Sequence, residues 1–232
     1  MPFAWPHCRM HDMTYDGHPT PSARGTERVL DLLSIWKISV SEMDNNAYLL
    51  RCRSTGAQLL VDAADDPERL LGLVAEGTGP LETVVTTHQH WDHHRALEAV
   101  VRATGATMVC GADDASGMPL PPDRTVGQGD QVRFGDIVLD VIHLRGHTPG
   151  SIALAYDDPH GHTQLFTGDS LFPGGVGNTK NPGQSFDSLI EDVTTRVFDV
   201  YDDQTWVHPG HGADTTLGAE RPHLQEWRDR GW

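Results

Sequence analysis

The segment Thr87-His88-Gln89-His90-Trp91-Asp92-His93-His94 constrains this chain more than any other. Two histidines, an aspartate and a third histidine within six residues have no packing explanation, because burying them unpaired is costly and exposing them gives no reason for the spacing. The run stands where the short apolar stretch at Val84 and Val85 stops and a helical pattern begins. His88 and His90, two apart, turn both rings to one side of an extended turn. Asp92 and His93, expected on the first turn of a helix over residues 92–103, face a neighbouring point. This makes two adjacent sets of nitrogen and oxygen donors, more than one ion can use. Imidazole and carboxylate suit zinc, iron or manganese, and a set without cysteine argues against a closed structural zinc site.

Three further candidates share one context, a polar residue just past an apolar strand with glycine beside it. They are His147 in Leu144-Arg145-Gly146-His147-Thr148-Pro149-Gly150-Ser151, Asp169 in Thr167-Gly168-Asp169-Ser170, and His211 in Val207-His208-Pro209-Gly210-His211-Gly212. Glycine lets the chain bend sharply so that the neighbouring side chain reaches a buried point. Taken singly, each reads as a strand-end cap. Taken with the histidine run, they read as segments closing on one site, because strand ends on one rim of a sheet converge.

The remaining pattern is of alternating strands and helices. Strand-like runs fall at residues 35–40, 47–52, 58–61, 83–87 and 107–110, and again at 131–134, 137–144, 151–156, 164–167 and 206–207. A turn is expected at Asp44, Asn45 and Asn46. Asp66 reads as the N-cap of a helix with Pro67 in its first position and Gly77 beyond its end. A long amphipathic helix is expected over residues 186–200, with Phe186, Leu189, Ile190, Val193, Val197 and Val200 on one face, and a last helix over 218–230. Consecutive strands with helices between them imply sheets packed on each other and covered by helices, an α/β class. Residues 1–28 lack either period and are expected to form an irregular arm in which His7, His11 and His18 are solvated. Residues 29–232 are expected to form one domain.

Charge narrows the functional classes. The 232 residues carry 17 Lys and Arg against 33 Asp and Glu, a net charge of −16. Such a field repels phosphate backbones and anionic lipid, which speaks against nucleic-acid and membrane-surface roles. No apolar run approaches a membrane span and the first ten residues lack a signal-peptide pattern, so a cytoplasmic location is expected. The three cysteines, Cys8, Cys52 and Cys110, have no CxxC spacing and signal no disulfide framework. No GxSxG elbow or positioned cysteine offers a nucleophile. Lys180, one of only two lysines, lies in the glycine-rich loop after Asp169 and is a candidate for a substrate carboxylate. Asn178 beside it is a second candidate for substrate binding. Trp91 reads as packing or pocket wall.

The histidine run followed in order by His147, Asp169 and His211 resembles the metallo-β-lactamase superfamily. Its short Gly-His-Thr-Pro-Gly-Ser and Thr-Gly-Asp-Ser-Leu-Phe segments look most like the glyoxalase II, or hydroxyacylglutathione hydrolase, branch. That resemblance implies a four-layer αββα sandwich. It implies that His88, His90 and His147 hold one divalent metal ion, that Asp92, His93 and His211 hold a second, and that Asp169 bridges them, with zinc the expected metal and iron or manganese alternatives. It further implies hydrolysis of a small thioester or ester by a metal-bridging hydroxide that Asp92 helps to orient. Only 21 residues follow His211, fewer than the helical domain with which full-length glyoxalase II enzymes bind glutathione, so the expected substrate is a small molecule with its carrier thiol left open. The same scaffold implies two alternatives, a one-iron oxidoreductase of thiol persulfides and a lactonase. A nuclease of this type fits poorly with the acidic charge.

Overall fold

The computed structural model describes residue 15, residues 17–20 and residues 25–231. His7, His11 and Cys8 lie outside the described residues. The first half of the chain builds a seven-stranded sheet in sequence order: β1 (Thr26–Val29), β2 (Leu33–Val40), β3 (Asn45–Cys52), β4 (Gln58–Val61), β5 (Leu81–Thr86), β6 (Thr107–Gly111) and β7 (Arg124–Val126). β1 to β4 pair antiparallel, and β4 to β7 run parallel. The crossovers between parallel strands are helices: α1 (Pro67–Ala75) follows β4 and α2 (Leu97–Thr104) follows β5. Asp66 caps α1, accepting from Arg69 N at 3.3 Å, with Pro67 in the first turn.

The second half builds a six-stranded sheet from β8 (Gln131–Phe134), β9 (Ile137–His143), β10 (Ile152–Tyr156) and β11 (Gln164–Gly168), completed by β14 (Trp206–Pro209) and β15 (Thr215–Thr216). Between β11 and β14 lie the short pair β12 (Leu171–Phe172) and β13 (Gly175–Val176) and then α3 (Phe186–Val193). The chain ends in α4 (Leu217–Glu220) and α5 (Leu224–Arg230).

Period-two alternation in the strands sorts side chains into layers. Leu33 and Ile35 of β2, Leu59 and Val61 of β4, and Leu154 and Phe166 of the second sheet fill the space between the sheets. Leu49, Leu60 and Val84 face the other way, against Leu70 and Leu73 of α1 and Leu97 and Val100 of α2. Ile142, Ala153 and Leu165 meet Leu189, Ile190 and Val193 of α3 and Trp227 of α5. The order is therefore helices, sheet, sheet, helices, the four-layer sandwich expected from the sequence.

Four expectations are corrected. Asp92 and His93 do not open a helix. Trp91–His93 form a single tight 3₁₀ turn, and α2 starts only at Leu97. The break arises because Arg95 N and Ala96 N bond to Ala64 O and Ala63 O, across from the end of β4, and not to their own turn. The helix expected to Val200 leaves α geometry at Thr194 for a wider turn through Phe198, and Val200, placed on the buried face, is 64% exposed. The end of the arm, read as irregular, pairs as β1 on β2. Residues 218–230 are split at Arg221–His223, where Pro222 cannot donate to the helix ladder.

Candidate metal centre

All the singled-out donors lie on loops at one rim of the two sheets. His88 and His90 follow β5, Asp92 and His93 sit in the 3₁₀ turn, His147 lies between β9 and β10, Asp169 follows β11, and His211 follows β14. Three groups form: His88, His90 and His147; His88, His93 and Asp169; and Asp92, His93 and His211. Within each, one ligand atom per residue lies within 4.8 Å of the others. The rings nearly touch through their nitrogens, with His88 Nε2 3.1 Å from His90 Nδ1 and His93 Nε2 3.1 Å from His211 Nε2. Asp169 lies between the groups, 3.4 Å from His93 Nε2 and 3.5 Å from both His147 Nε2 and His211 Nε2.

The outer nitrogen of most rings is fixed by an acceptor, which decides the tautomer. His147 Nδ1 donates to Asn178 O at 2.7 Å, and His211 Nδ1 donates to Met43 O at 2.9 Å. A carbonyl can only accept, so in the neutral ring the lone pair of each sits on Nε2, facing the site. His93 Nδ1 lies 2.8 Å from Asp62 Oδ2. Thr87 Oγ1 donates to the same oxygen at 2.8 Å and leaves its own lone pair for His88 Nδ1 at 3.0 Å. Partners of this kind orient imidazoles that ligate metals and raise their basicity.

A divalent cation fits this donor set. Among the described residues, His147 Nε2 and Asp169 Oδ1 are buried without a hydrogen-bond partner, an arrangement that is costly unless something else meets those lone pairs. Gly210 keeps the space open, because a Cβ there would overlap Asp169 Oδ1 and His93 Cε1. Protonation differs across the site. Burial and the neighbouring histidines push His88 well below the usual histidine range and lower His90. Burial also opposes charge on His93, but the carboxylates of Asp169 and Asp62 outweigh it and hold His93 well above that range. Desolvation of Asp92 and Asp169 is likewise overcome, by His211, His93 and Asn45 for Asp92 and by His93, His88 and His211 for Asp169, so both stay ionised.

The other singled-out residues take different places. Asn178 reaches the site through its carbonyl on His147, while its side chain accepts from Lys180 N at 3.2 Å. Lys180 is exposed. It immediately precedes Asn181, which with Pro182, Gly183, Gln184, Gln89, Thr148 and Pro149 walls a cavity of about 300 Å³ beside His90 and His147. Trp91 is 59% exposed, with the Arg95 guanidinium 4.4 Å above its ring. His18, expected to be solvated, is exposed, and its Nε2 lies 2.8 Å from Asp44 Oδ2.

Three site residues escaped the sequence reading. Asp62, held at a left-handed φ of 59°, orients both His93 and Thr87. Asn45 donates to Asp92 Oδ2 at 3.0 Å and to Asp92 O at 3.1 Å. Asp114, fully buried, accepts from Gln89 N at 2.9 Å, Thr148 Oγ1 at 2.5 Å and Gly150 N at 2.7 Å, tying the His88–His90 loop to the His147 loop. The available signal was the strand-end context again: Asp62 follows β4 and Asp114 follows β6.

The sequence profile described as the metallo-beta-lactamase superfamily matches residues 40–214. A hydroxyacylglutathione hydrolase of Jannaschia sp. (strain CCS1) is 38% identical over 148 residues, which is 63% of this chain and 56% of that protein. The chain thus spans little more than half the length of that relative. Hydroxyacylglutathione hydrolase GloC of Haemophilus influenzae is 29% identical over 82% of this chain and 95% of its own length. The crystal structure of TTHA1623 in a di-iron-bound form superposes with a TM-score of 0.67 at 33% identity, over 80% of this chain and 96% of that one. With the profile running from the end of β2 past the His211 loop, over the same layered fold, the chain belongs to the metallo-β-lactamase superfamily.

Proposed function

We propose that this protein is a binuclear metal-dependent hydrolase of small thioesters and esters, of the glyoxalase II type. The observation that carries the reading is the pair of donor triads with Asp169 between them, His147 Nε2 and Asp169 Oδ1 being buried without a hydrogen-bond partner. His88, His90 and His147 would hold one ion, Asp92, His93 and His211 the other, and Asp169 both. Zinc is the proposed metal, and iron or manganese would use the same donors. Bound there, such a pair supplies Lewis acidity and a water acidified to near neutrality, which makes a nucleophilic side chain unnecessary.

The chain's own groups do the rest. Asn45 fixes the Asp92 carboxylate, which accepts a hydrogen bond from the attacking water and aims it. The cavity beside His90 and His147 has room for a small acyl group, with Thr148 and Gln184 among its polar walls. Lys180, next to that wall, is proposed to meet a carboxylate on the substrate, and Asn178 to hold His147 in place. The relative named hydroxyacylglutathione hydrolase GloC, matched over nearly its whole length, supports S-acyl thioesters of hydroxy acids as the foremost class. A small-molecule substrate also fits the net charge of −16, which opposes nucleic acid. Among the described residues, no helix is long and apolar enough to cross a membrane.

The test is hydrolysis of an S-lactoyl thioester by the full chain loaded with zinc. Turnover that falls at least about 10²-fold in His90→Ala, the loss typical when a transition-state-stabilising group goes, supports the reading. One iron per chain with oxygen uptake on a thiol persulfide, and no thioester cleavage, would replace it with the oxidoreductase alternative.

A further inference from the structure

The strand β2 places Lys37 on the same face as Leu33 and Ile35, toward the layer between the sheets, where a lysine is out of place. Its side chain is 0% exposed. Among the described residues, the ammonium donates to Asp214 Oδ1 at 2.6 Å, Gly212 O at 2.7 Å and Gly17 O at 2.6 Å, three acceptors in all. Two of the three belong to the loop that carries His211, and the third belongs to the segment before β1.

Everything around this ammonium converges on the same loop. Asp214 Oδ2 accepts from Tyr15 Oη at 2.7 Å and Trp206 Nε1 at 2.8 Å, and lies 3.0 Å from His208 Nδ1, while Asp214 N donates to Gly17 O. Gly212 N donates to Asp44 O, and Asp44 is in turn held by Ser39 and His18. Asn46 and Tyr48 of β3 donate to Pro209 O, and Asn46 N donates to Gly210 O. The carbonyls on both sides of His211 are thus pulled into one buried polar cluster. That cluster includes Tyr15, Gly17 and His18.

A buried ion pair is weak evidence of stabilisation, since desolvating both charges offsets most of their attraction. Such a pair can instead select one arrangement over nearby ones, because the ammonium is satisfied here by acceptors that the loop presents in this position. His211 contributes a single nitrogen to its triad, and displacement of its loop by a fraction of an ångström would move that nitrogen out of line with Asp92 and His93.

We propose that Lys37, Asp214 and Tyr15 are positioning residues for His211, and that Tyr15 and Gly17, which hold the His211 loop from outside, set retention of the second metal ion. The inference rests on the two-metal reading above. His88, His90 and His147 take no part in the cluster, so the first triad is outside its reach.

The experiment titrates Zn²⁺ into the metal-free full chain against a chromophoric competitor, reading both dissociation constants. It compares the unsubstituted protein with Tyr15→Phe, Lys37→Met and the double variant Lys37→Met/Asp214→Asn. Loss of an outer partner typically costs about 10–100-fold in metal affinity. That weakening is expected for the second ion in Lys37→Met and in the double variant, a smaller one in Tyr15→Phe, with the first constant unchanged in each. The double variant removes both buried charges together and keeps the test open if Lys37→Met does not fold. Thermal melting separates the roles, because a purely structural cluster would lower the melting temperature while leaving the ratio of the two constants at its unsubstituted value. An unaltered ratio in the double variant and in Tyr15→Phe overturns the inference. A single ion in the unsubstituted chain overturns instead the two-metal reading beneath it.

Discussion

The two triads on either side of Asp169 are built from similar donors but supported differently. His88, His90 and His147 are all imidazoles, with neutral outer partners in Thr87 and Asn178 O, and their two loops are stitched together by Asp114. Asp92, His93 and His211 mix carboxylate with imidazole, and His93 has a second carboxylate, Asp62, behind it. Burial keeps protons off His88 and His90, whereas the surrounding carboxylates keep a proton on His93 and raise His211. The first triad therefore offers its lone pairs at once. The second binds its ion in competition with the proton that those carboxylates favour on His93.

Breaking the shared residue should have the largest effect. Asp169→Ala removes the one carboxylate placed between both triads, and zinc content should fall from two ions per chain to one or none. Undiminished loading in that variant, read by elemental analysis after dialysis, would show that the triads do not depend on a bridge. Acid should separate the triads next. As pH falls, protons compete earliest where the folded chain already favours them, so the ion at Asp92, His93 and His211 should leave at a higher pH than the ion at His88, His90 and His147. Zinc counted per chain between about pH 8 and pH 5 should fall in two steps, and loss of both ions in one step would contradict the difference in proton affinity.

Asp114→Ala should act in the opposite sense on the pair and more gently. It strands the buried Gly150 amide and removes the acceptor of the Gln89 amide, at roughly 1–3 kcal/mol for each buried group left unsatisfied, while the Thr148 hydroxyl keeps Ser151 Oγ. A lower melting temperature, with the first ion weakened more than the second, is the expected result of titration and thermal melting.

Much of the site was legible because its donors obey a local rule, a polar residue beside glycine just after an apolar strand. Local pattern also gave most strands, and the Asp66–Pro67 start of α1. What failed depended on contacts far apart in sequence. The helix expected at Asp92 yields to hydrogen bonds from Arg95 and Ala96 to residues 63 and 64, which no periodicity reveals. Val200 continues the apolar stripe of α3, yet the wide turn through Phe198 rotates it into solvent. Lys37 stood out only as a rare lysine. Its burial follows from the parity of β2 and from acceptors roughly 20 to 175 residues away. Asp62 and Asp114 stand in the same strand-end context as the donors, but they and Asn45 act through partners on other loops, which nothing local in the sequence names.

The central claim is that one chain holds two ions through triads sharing Asp169. Native mass spectrometry of the full chain, metal-freed and then reconstituted with zinc, tests it most directly. A mass increment of two zinc ions per chain, lowered by at least one in Asp169→Ala, is the predicted result. A single ion per chain at saturating zinc, unchanged by Asp169→Ala, would contradict it.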